Sequence, residues 1–160
     1  MEQNVVTGIA YTSDAAKITL VKVSDKPGIA ASVFTPLAKA GINVDMIVQT
    51  AAVADQATDI TFTVGKGDLD RAQKVLEGER KQIGFEKLIS AANVTKISLV
   101  GFGMRSHAGV AATMFQTLAD KKINIQVIET SEINTSVLID EEYTELALRA
   151  LHTAYGLDAK

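Results

Sequence analysis

The chain has 160 residues, of which 47% are hydrophobic, and its formal net charge at pH 7 is −3. That length and hydrophobic fraction suffice for one domain with a substantial core or for two small domains. The net negative charge and the lack of a run of Lys or Arg argue against nucleic-acid binding. The lack of cysteine excludes disulfides. No apolar run approaches the roughly 20 residues that a membrane helix needs. Because the N-terminus also lacks a signal-peptide pattern, we expect a cytoplasmic protein that does not enter membranes.

The first half of the chain predicts strands and helices in a fixed order. Residues 4–12 have a strand-like composition, and residues 17–23 alternate as a second strand rich in β-branched side chains. An apolar stripe from Ile29 to Ala38 predicts a helix that ends at Gly41. The remaining predicted elements are a strand at 43–50, a strand at 59–64, a helix N-capped by Asp68 and ended by Gly84, and a strand at 85–89.

The second half of the chain repeats the first. The segment KITLV from Lys17 reappears as KISLV from Lys96, and GIAASVFTPLAKAGINVDMI from Gly28 reappears as GVAATMFQTLADKKINIQVI from Gly109. The repeat predicts the same order of elements, namely a strand at 95–101, a helix at 109–121, strands at 124–130 and 133–139, and a helix at 141–155.

Each copy follows the order βαββαβ, in which an antiparallel four-stranded sheet carries two helices on one face. The second copy stops without a fourth strand, whereas residues 4–12 form a strand that the first copy does not use. We therefore predict an α+β chain of two ferredoxin-like modules. Module 15–92 is expected to be inserted into a module made of 1–14 and 93–160, whose sheet the N-terminal strand completes.

A loop that ends in glycine precedes the first helix of each copy, at 24–28 and at 104–109. The N-terminus of a helix offers unpaired N–H groups and glycine permits close approach, so these loops suit the α-carboxylate of a small ligand. An ammonium group would need acceptors nearby, and the candidates are Asp25, Asp45, Gln49, Glu129 and Glu132. The alternative for the first loop is an ordinary turn in which Pro27 precedes a helix.

Catalytic and metal chemistry find little support. His107 stands alone in its loop and His152 alone on the last predicted helix, without metal-ligand spacing. The segment GFGMRSHAG from Gly101 departs from the glycine-rich motifs that bind phosphates. We therefore expect no catalytic residue, no metal and no cofactor in this chain.

Several segments together resemble the paired ACT domains at the C-terminal end of aspartate kinases: SDKPGIAASVF from Ser24, INVDMIVQ from Ile42, DITF from Asp59, VGFGMRSH from Val100 and TSEI from Thr130. The resemblance covers essentially the whole chain. It implies a regulatory β-type subunit without the kinase domain, which forms a homodimer through its ACT modules and pairs with a catalytic α subunit. It also implies feedback inhibition of lysine, threonine and methionine biosynthesis by L-threonine and/or L-lysine.

Carried over by position, the resemblance implies two effector sites, each combining a loop of one module with a segment of a facing module. The first comprises Asp25, Lys26, Gly28, Ile29, Ala30, Gln49, Asn124 and Ile125. The second comprises Met104, Ser106, His107, Gly109, Val110, Ala111, Asn43, Val44, Asp45, Ser131 and Glu132. The sequence departs from the family pattern at Ala108, Gln126, Asn134 and Thr135, so the first site is the better match.

Two other functions remain open at this stage. The chain could be an amino-acid sensor or assembly module that serves a different enzyme. It could also be a small enzyme on a ferredoxin-like scaffold, since a fold alone does not determine function. Against the latter, no loop places a nucleophile beside a base.

Overall fold

The computed structural model describes residues 5–50, 57–103 and 108–157. In chain order, its strands and helices are β1 (Val6–Ser24), α1 (Ile29–Lys39), β2 (Val44–Gln49), β3 (Ala57–Gly65), α2 (Leu69–Gly78), α3 (Arg80–Ile83), β4 (Lys87–Gly101), α4 (Ala108–Asp120), β5 (Val127–Thr130), β6 (Asn134–Asp140) and α5 (Thr144–Ala154). Short 3-10 turns at Lys66–Asp68 and Glu141–Tyr143 lead into α2 and α5. The predicted α+β class with antiparallel strands is confirmed.

The chain divides into two compact units. The central unit comprises 14–92, and the flanking unit comprises the residues up to Ser13 together with those from Asn93 onwards. The long strands β1 and β4 each contribute one part to either unit.

In the central unit the strand order is β2-β3-β1-β4. Strand β3 pairs antiparallel with both β1 and β2, and the Glu86 N–H donates to the Val21 carbonyl oxygen at 2.8 Å where the chain enters β4. One face of the sheet packs against the helices because alternate strand residues are apolar. The buried cluster between sheet and helices includes Ile18, Leu20, Leu37, Ile60, Phe62 and Leu76.

The flanking unit has the strand order β1-β4-β6-β5 and a separate buried cluster. Val6, which is only 3% exposed, belongs to this cluster with Leu118 and Leu151. The Thr7 hydroxyl donates to the Val100 carbonyl oxygen at 3.2 Å. The first part of β1 therefore lies beside β4 in the flanking unit.

Two pairs of strands that the sequence pattern separates are continuous in the structure. Predicted strands 4–12 and 17–23 form the single strand β1, and predicted strands 85–89 and 95–101 form β4. Ala15 and Ala16, at the predicted break in β1, are 8% and 0% exposed. They stay in the strand because both pair with β3, and this cross-strand pairing is not visible in a single segment.

Asp68 occupies the predicted N-cap position of α2, but it does not cap the helix with its side chain. Asp68 lies in the 3-10 turn before α2, and its side chain makes no capping hydrogen bond. Its carboxylate instead accepts from the Arg71 guanidinium at 2.8 Å, and this guanidinium also donates to the Ala40 carbonyl oxygen at the end of α1. The acid thus orients an arginine that links two helices of the central unit.

The buried Thr95 hydroxyl and two half-buried hydroxyl groups connect three elements of the flanking unit. The Thr95 side chain, which is 0% exposed, lies 2.8 Å from the Ser13 hydroxyl and 2.7 Å from the Thr144 hydroxyl. Thr144 in turn donates to the Glu141 carbonyl oxygen at 2.7 Å. These contacts link β1, β4 and the start of α5. Among the described residues, no helix combines the length and the apolar character needed to span a membrane.

We expect Thr95→Val to lower the free energy of unfolding by about 1–2 kcal/mol, because the half-buried Ser13 and Thr144 hydroxyls lose a partner while the packing volume is kept. Urea denaturation followed by circular dichroism measures this change. Thr7→Val is the control, since the Thr7 side chain is exposed and should cost less than about 0.5 kcal/mol. Equal losses in both variants would contradict a structural role for the Thr95 hydroxyl.

Candidate functional site

The loop after β1 in the central unit leads directly into the first turn of α1. Gly28 is the N-cap residue, with a φ of 88° in the left-handed region, and the Ile29 N–H bonds back to the Lys26 carbonyl oxygen at 3.2 Å. The first bond of the helix runs from the Ser32 N–H to the Gly28 carbonyl oxygen at 3.0 Å. Helix geometry therefore leaves the N–H groups of Ala30 and Ala31 without an acceptor inside the helix. These groups form the donor end of the candidate site.

Glycine is required at position 28 by its backbone conformation. A Cβ atom at this position would meet no atom of the chain within 4 Å, so no neighbour excludes a side chain. A φ of 88° is nevertheless strained for any residue with a Cβ. The space beside the loop is open, and Asp25 and Lys26 are exposed beside it.

The sheet register decides which predicted residues lie at the same end as this loop. Strands β1 and β2 both run antiparallel to β3, so both end where β3 begins. Ser24 pairs with Ala57 and Gln49 with Ile60, which places Gln49 at the loop end of the sheet. The structure thus brings Gln49 to the same end of the unit as the loop.

Asp45 lies at the opposite end of β2 from this loop. It pairs with Thr63 and Gln49 pairs with Ile60, three residues away on β3, a separation of about 10 Å at the usual rise of a strand. Asp45 therefore cannot accept a hydrogen bond from the ammonium group of an amino acid held by the loop of its own unit. The neighbouring Asn43 and Val44 lie at the same distant end. These three residues can contribute only to a site formed with another module.

The flanking unit repeats this arrangement. The Ser131 N–H donates to the Asn134 carbonyl oxygen at 2.7 Å and the Asn134 N–H donates to the Ser131 hydroxyl at 3.1 Å, which closes the turn between β5 and β6. The Gly101 N–H donates to the Ile133 carbonyl oxygen at 3.0 Å, so this turn lies where β4 ends. Glu129 and Glu132 are at the same end, near the turn. Asn124 and Ile125 precede β5 and lie at the opposite end.

The second predicted loop is described only in part. Met104, Ser106 and His107 lie outside the described residues. Gly109, Val110 and Ala111 lie in the first turn of α4, which begins at Ala108. Gly109 corresponds to Gly28 in the repeat, yet it is helical and has neither a positive φ nor a close neighbour. The two glycines that are equivalent in the internal repeat, Gly28 and Gly109, therefore have different backbone conformations.

The departures from the family pattern have structural partners. The Gln126 side-chain amide donates to the Asp140 carboxylate at 2.7 Å, so the residue that replaces an acid at the position of Asp45 supports its own unit. Asn134 closes the turn after β5, and Thr135 is only 1% exposed. The second module thus uses several of these positions for its own packing.

Tyr155 contacts the first part of α4, and the sequence analysis did not single it out. It follows α5, and its hydroxyl donates to the Val110 carbonyl oxygen at 2.6 Å. Burial raises the pKa of Tyr155 to about 12, and the backbone N–H of Met114 partly offsets this increase. The hydroxyl is therefore a neutral donor at physiological pH. The sequence shows a tyrosine at the end of the last predicted helix, but it does not show the bonding partner, which lies 45 residues earlier in the chain.

A shallow groove of about 590 Å³ lies between α4 and α5. Its lining residues are Thr117, Asp120, Lys121, Leu146, Arg149, Ala150, Thr153 and Ala154. It lies at the C-terminal end of α4, where the helix dipole disfavours a carboxylate. The groove is therefore separate from the donor end of the helix, on which the candidate site depends.

Metal ligation has no basis within the ranges that the structure describes. There, no three side chains of His, Cys, Asp or Glu come together as a metal site would require. The Nδ1 atom of His152 lies 2.6 Å from the Leu148 carbonyl oxygen in its own helix.

Comparison with known proteins finds one matching domain family and several similar chains. The sequence matches the ACT domain family over residues 18–79 and 97–155. It is 51% identical to the aspartate kinase of Pseudomonas putida over 159 residues, which are 99% of this chain but 38% of that protein. The chain thus spans well under half the length of such curated relatives.

Two solved structures match over nearly their whole length. One is a crystal structure of aspartokinase alpha and beta subunits, with a TM-score of 0.88 and 48% identity, covering 95% of this chain and 99% of that chain. The other is the ligand-free regulatory subunit of aspartate kinase from Thermus thermophilus, with a TM-score of 0.86 and 44% identity, covering 93% of this chain and 98% of that one.

The two equivalent glycines provide a matched test of the loop geometry. Gly28→Ala should lower the free energy of unfolding by about 1–2 kcal/mol, because alanine is strained at a positive φ. Gly109→Ala should leave it unchanged or raise it by up to about 1 kcal/mol, because alanine favours a helix. Urea denaturation of both variants measures the difference, and the same sign of change in both would show that the loops are alike.

Proposed function

The chain belongs to the ACT domain family as a regulatory region of the aspartokinase type, and from this premise we propose that it binds an amino acid and thereby controls an aspartate kinase. The proposed effectors are L-threonine and/or L-lysine, and the proposed result is feedback inhibition of lysine, threonine and methionine biosynthesis in the cytoplasm. One observation carries the proposal: an open helix N-terminus at the same end of the sheet as Gln49.

The chemistry of the first site follows from the donors and acceptors at this end. The unpaired N–H groups of the first turn of α1 and the positive end of its dipole stabilise the α-carboxylate of the ligand. The Gln49 side-chain oxygen and the exposed Asp25 carboxylate can accept from its ammonium group. Gly28, Ile29 and Ala30 supply the backbone wall, and Lys26 lies at the rim.

A second chain is needed to complete the site. Asn124 and Ile125 are at the far end of the flanking unit from its own loop, just as Asn43 to Asp45 are in the central unit. Antiparallel pairing of edge strand β2 with β5 of a second copy would place Gln49 beside Asn124. Ile47 and Ile128, 50% and 47% exposed on these two strands, would be covered by this contact. We therefore propose a homodimer.

The same pairing brings together a second site. Its described members are Gly109, Val110 and Ala111, with Ser131 and Glu132 at the turn and Asn43, Val44 and Asp45 from the facing copy. Asp45 supplies a carboxylate for the ammonium group. In this proposal the two units are the two ACT modules, with 15–92 inserted into a module of 1–14 and 93–160.

The proposed partner is the catalytic α subunit of an aspartate kinase. A similar chain occurs in the solved structure of aspartokinase alpha and beta subunits, and the curated relatives are far longer than this chain. The sequence contains no kinase motif, so we propose that it regulates catalysis without performing it. A coupling free energy of about 1–3 kcal/mol between effector and catalytic partner would suffice for control.

Isothermal titration with L-threonine and with L-lysine tests the effectors. We expect saturable binding of at least one of them, and we expect Gln49→Ala and Asn124→Ala to weaken the same ligand by about tenfold, since each removes a hydrogen bond to a charged group. Gln116→Ala, at an exposed position of α4 that belongs to neither proposed site, is the control. A folded dimer that binds neither amino acid would contradict these effectors, and binding of another amino acid would point to a different enzyme.

Lysine substitutions at the edge strands test the dimer. Ile47→Lys and Ile128→Lys should each convert the dimer to a monomer, because a charge on an edge opposes strand pairing. Size-exclusion chromatography with light scattering measures the mass. Thr35→Lys adds the same charge at an exposed position of α1 and should leave the mass unchanged. A dimer that persists in both edge variants would place the interface elsewhere.

A further inference from the structure

The groove between α4 and α5 has a counterpart in the central unit, between α1 and α2. In the internal repeat α1 corresponds to α4 and α2 corresponds to α5. Leu37 and Leu118, both 0% exposed, are equivalent in the first pair of helices, and Leu76 and Leu151, also 0% exposed, are equivalent in the second pair. With this register, each residue that lines the groove has an equivalent in the central unit.

An arginine of the central unit occupies the position that the groove leaves open. The Arg71 guanidinium donates to the Ala40 carbonyl oxygen at the end of α1 and lies 2.8 Å from the Asp68 carboxylate. In the flanking unit Leu146 stands at the position of Arg71. Lys121 stands at the position of Ala40, and it lines the groove together with Leu146. Because leucine has no donor, the Lys121 carbonyl oxygen receives no hydrogen bond of the kind that Arg71 makes.

The backbone has the same conformation at the ends of α1 and α4. Gly41 and Lys122, which are equivalent in the repeat, both have a left-handed φ, of 74° and 59°. The Gly41 N–H donates to the Ala38 carbonyl oxygen at 3.0 Å, and the Lys122 N–H donates to the Ala119 carbonyl oxygen at 2.9 Å. The last carbonyl oxygens of a helix lack intrahelical donors and lie at the negative end of the dipole, so they favour a cation. The end of α4 therefore presents an acceptor for a guanidinium as the end of α1 does.

The charged side chains at the groove do not distinguish it from the position of Arg71. Three of them line the groove, one acid and two cations, namely Asp120, Lys121 and Arg149. The central unit has one acid beside Arg71, Asp68, and two cations at the positions equivalent to Asp120 and Arg149, namely Lys39 and Lys74. One acid and two cations thus do not prevent a guanidinium from lying at the end of α1, and the same composition is expected to admit one at the end of α4.

The shape of the groove indicates the kind of occupant. Pockets for free small molecules bury most of the surface of their ligand, whereas this groove is shallow. An arginine side chain that belongs to another protein needs to cover only its aliphatic stem here, since the rest of the contact between the proteins holds it in place. Leu146, Ala150 and Ala154 line the groove and give this stem an apolar surface.

We propose that the groove between α4 and α5 is a docking site for an arginine side chain of a partner protein, whose guanidinium donates to the Lys121 carbonyl oxygen. The partner is the catalytic subunit, and in this respect the inference rests on the proposed function. The central unit fills the equivalent position with its own Arg71, whereas the flanking unit leaves it open for the partner.

Titration of the full chain with N-acetyl-arginine amide, followed by NMR, tests the groove without a partner. Binding should be weak, with a Kd on the order of 1–10 mM, because the probe is small and stays partly in water. The Lys122 N–H should shift, since it shares a peptide plane with the Lys121 carbonyl. The neutral isostere N-acetyl-citrulline amide should bind about fivefold more weakly, because a charged donor makes the stronger hydrogen bond.

Three results of this titration would overturn the inference. The first is that N-acetyl-arginine amide causes no saturable shift of the Lys122 N–H. The second is that N-acetyl-citrulline amide binds equally well, because the groove would then be only an apolar surface. The third is that N-acetyl-glutamate amide binds more tightly than the arginine probe, because Lys121 and Arg149 would then select an anion.

Two reciprocal substitutions test the equivalence of the units. Leu146→Arg should abolish the shift at Lys122, because the introduced arginine takes the place of the probe, and Leu146→Met is the control that keeps an apolar side chain. Arg71→Leu should open the equivalent position in the central unit, so that the probe also shifts the Gly41 N–H. A folded Arg71→Leu protein without a shift at Gly41 would contradict the equivalence.

Calorimetric titration with the catalytic subunit of an aspartate kinase tests the partner. Leu146→Arg should weaken the complex by about tenfold, as expected for the loss of a hydrogen bond to a charged group. Ala119→Arg adds the same charge at an exposed position of α4 outside the groove and should leave the affinity unchanged. Equal affinity of the wild-type chain and Leu146→Arg would overturn the docking site. If the wild-type chain does not bind the catalytic subunit, the proposed partner is wrong, while the shift at Lys122 still decides whether the groove binds a guanidinium.

Discussion

The antiparallel pairing of one inner strand with both of its neighbours determines where chemistry can occur in this protein. In the central unit β3 pairs with β1 and β2, and in the flanking unit β6 pairs with β4 and β5. The two neighbours must therefore run parallel to each other and end together. The strand before the first helix of each unit, β1 or β4, therefore ends at the same end of the unit as the edge strand β2 or β5. Asn43 and Asn124, which precede these edge strands, lie at the opposite end.

A consequence of this geometry is that neither unit can bring its two sets of polar residues together. Gln49 and Asp45 lie at opposite ends of the same strand. A ligand that needs both sets would have to bridge two modules, and it would then stabilise their association by mass action. Such a ligand can regulate a partner, because its binding free energy favours one arrangement of modules over another.

The repeat preserves a backbone frame while the supporting interactions differ. The central unit uses a left-handed glycine before α1 and an arginine that links α2 to the end of α1. The flanking unit begins α4 without a left-handed glycine at the equivalent position, and Tyr155 links α4 to the segment after α5. Two copies of one pattern can therefore differ in how rigidly they hold a ligand, which is a physical route to different ligand preferences.

The sequence by itself determined the order of elements, the α+β class, the repeat and the family, because periodicity, glycine positions and motif spacing are local properties. The candidate residues of the first loop were also visible, since a helix N-terminus after a Pro-Gly turn is a local pattern. Only the tertiary structure decided that β1 and β4 are continuous, because Ala15 and Ala16 remain in β1 through pairing with β3. It likewise decided that the Asp68 carboxylate binds Arg71 rather than an N–H group of α2, that Gly109 is helical, and that Tyr155 bonds to Val110. The continuity of β1 and the bond of Tyr155 depend on partners distant in sequence, and Arg71, although close to Asp68, is fixed by the distant Ala40 carbonyl oxygen. A sequence alone does not specify which distant groups will meet.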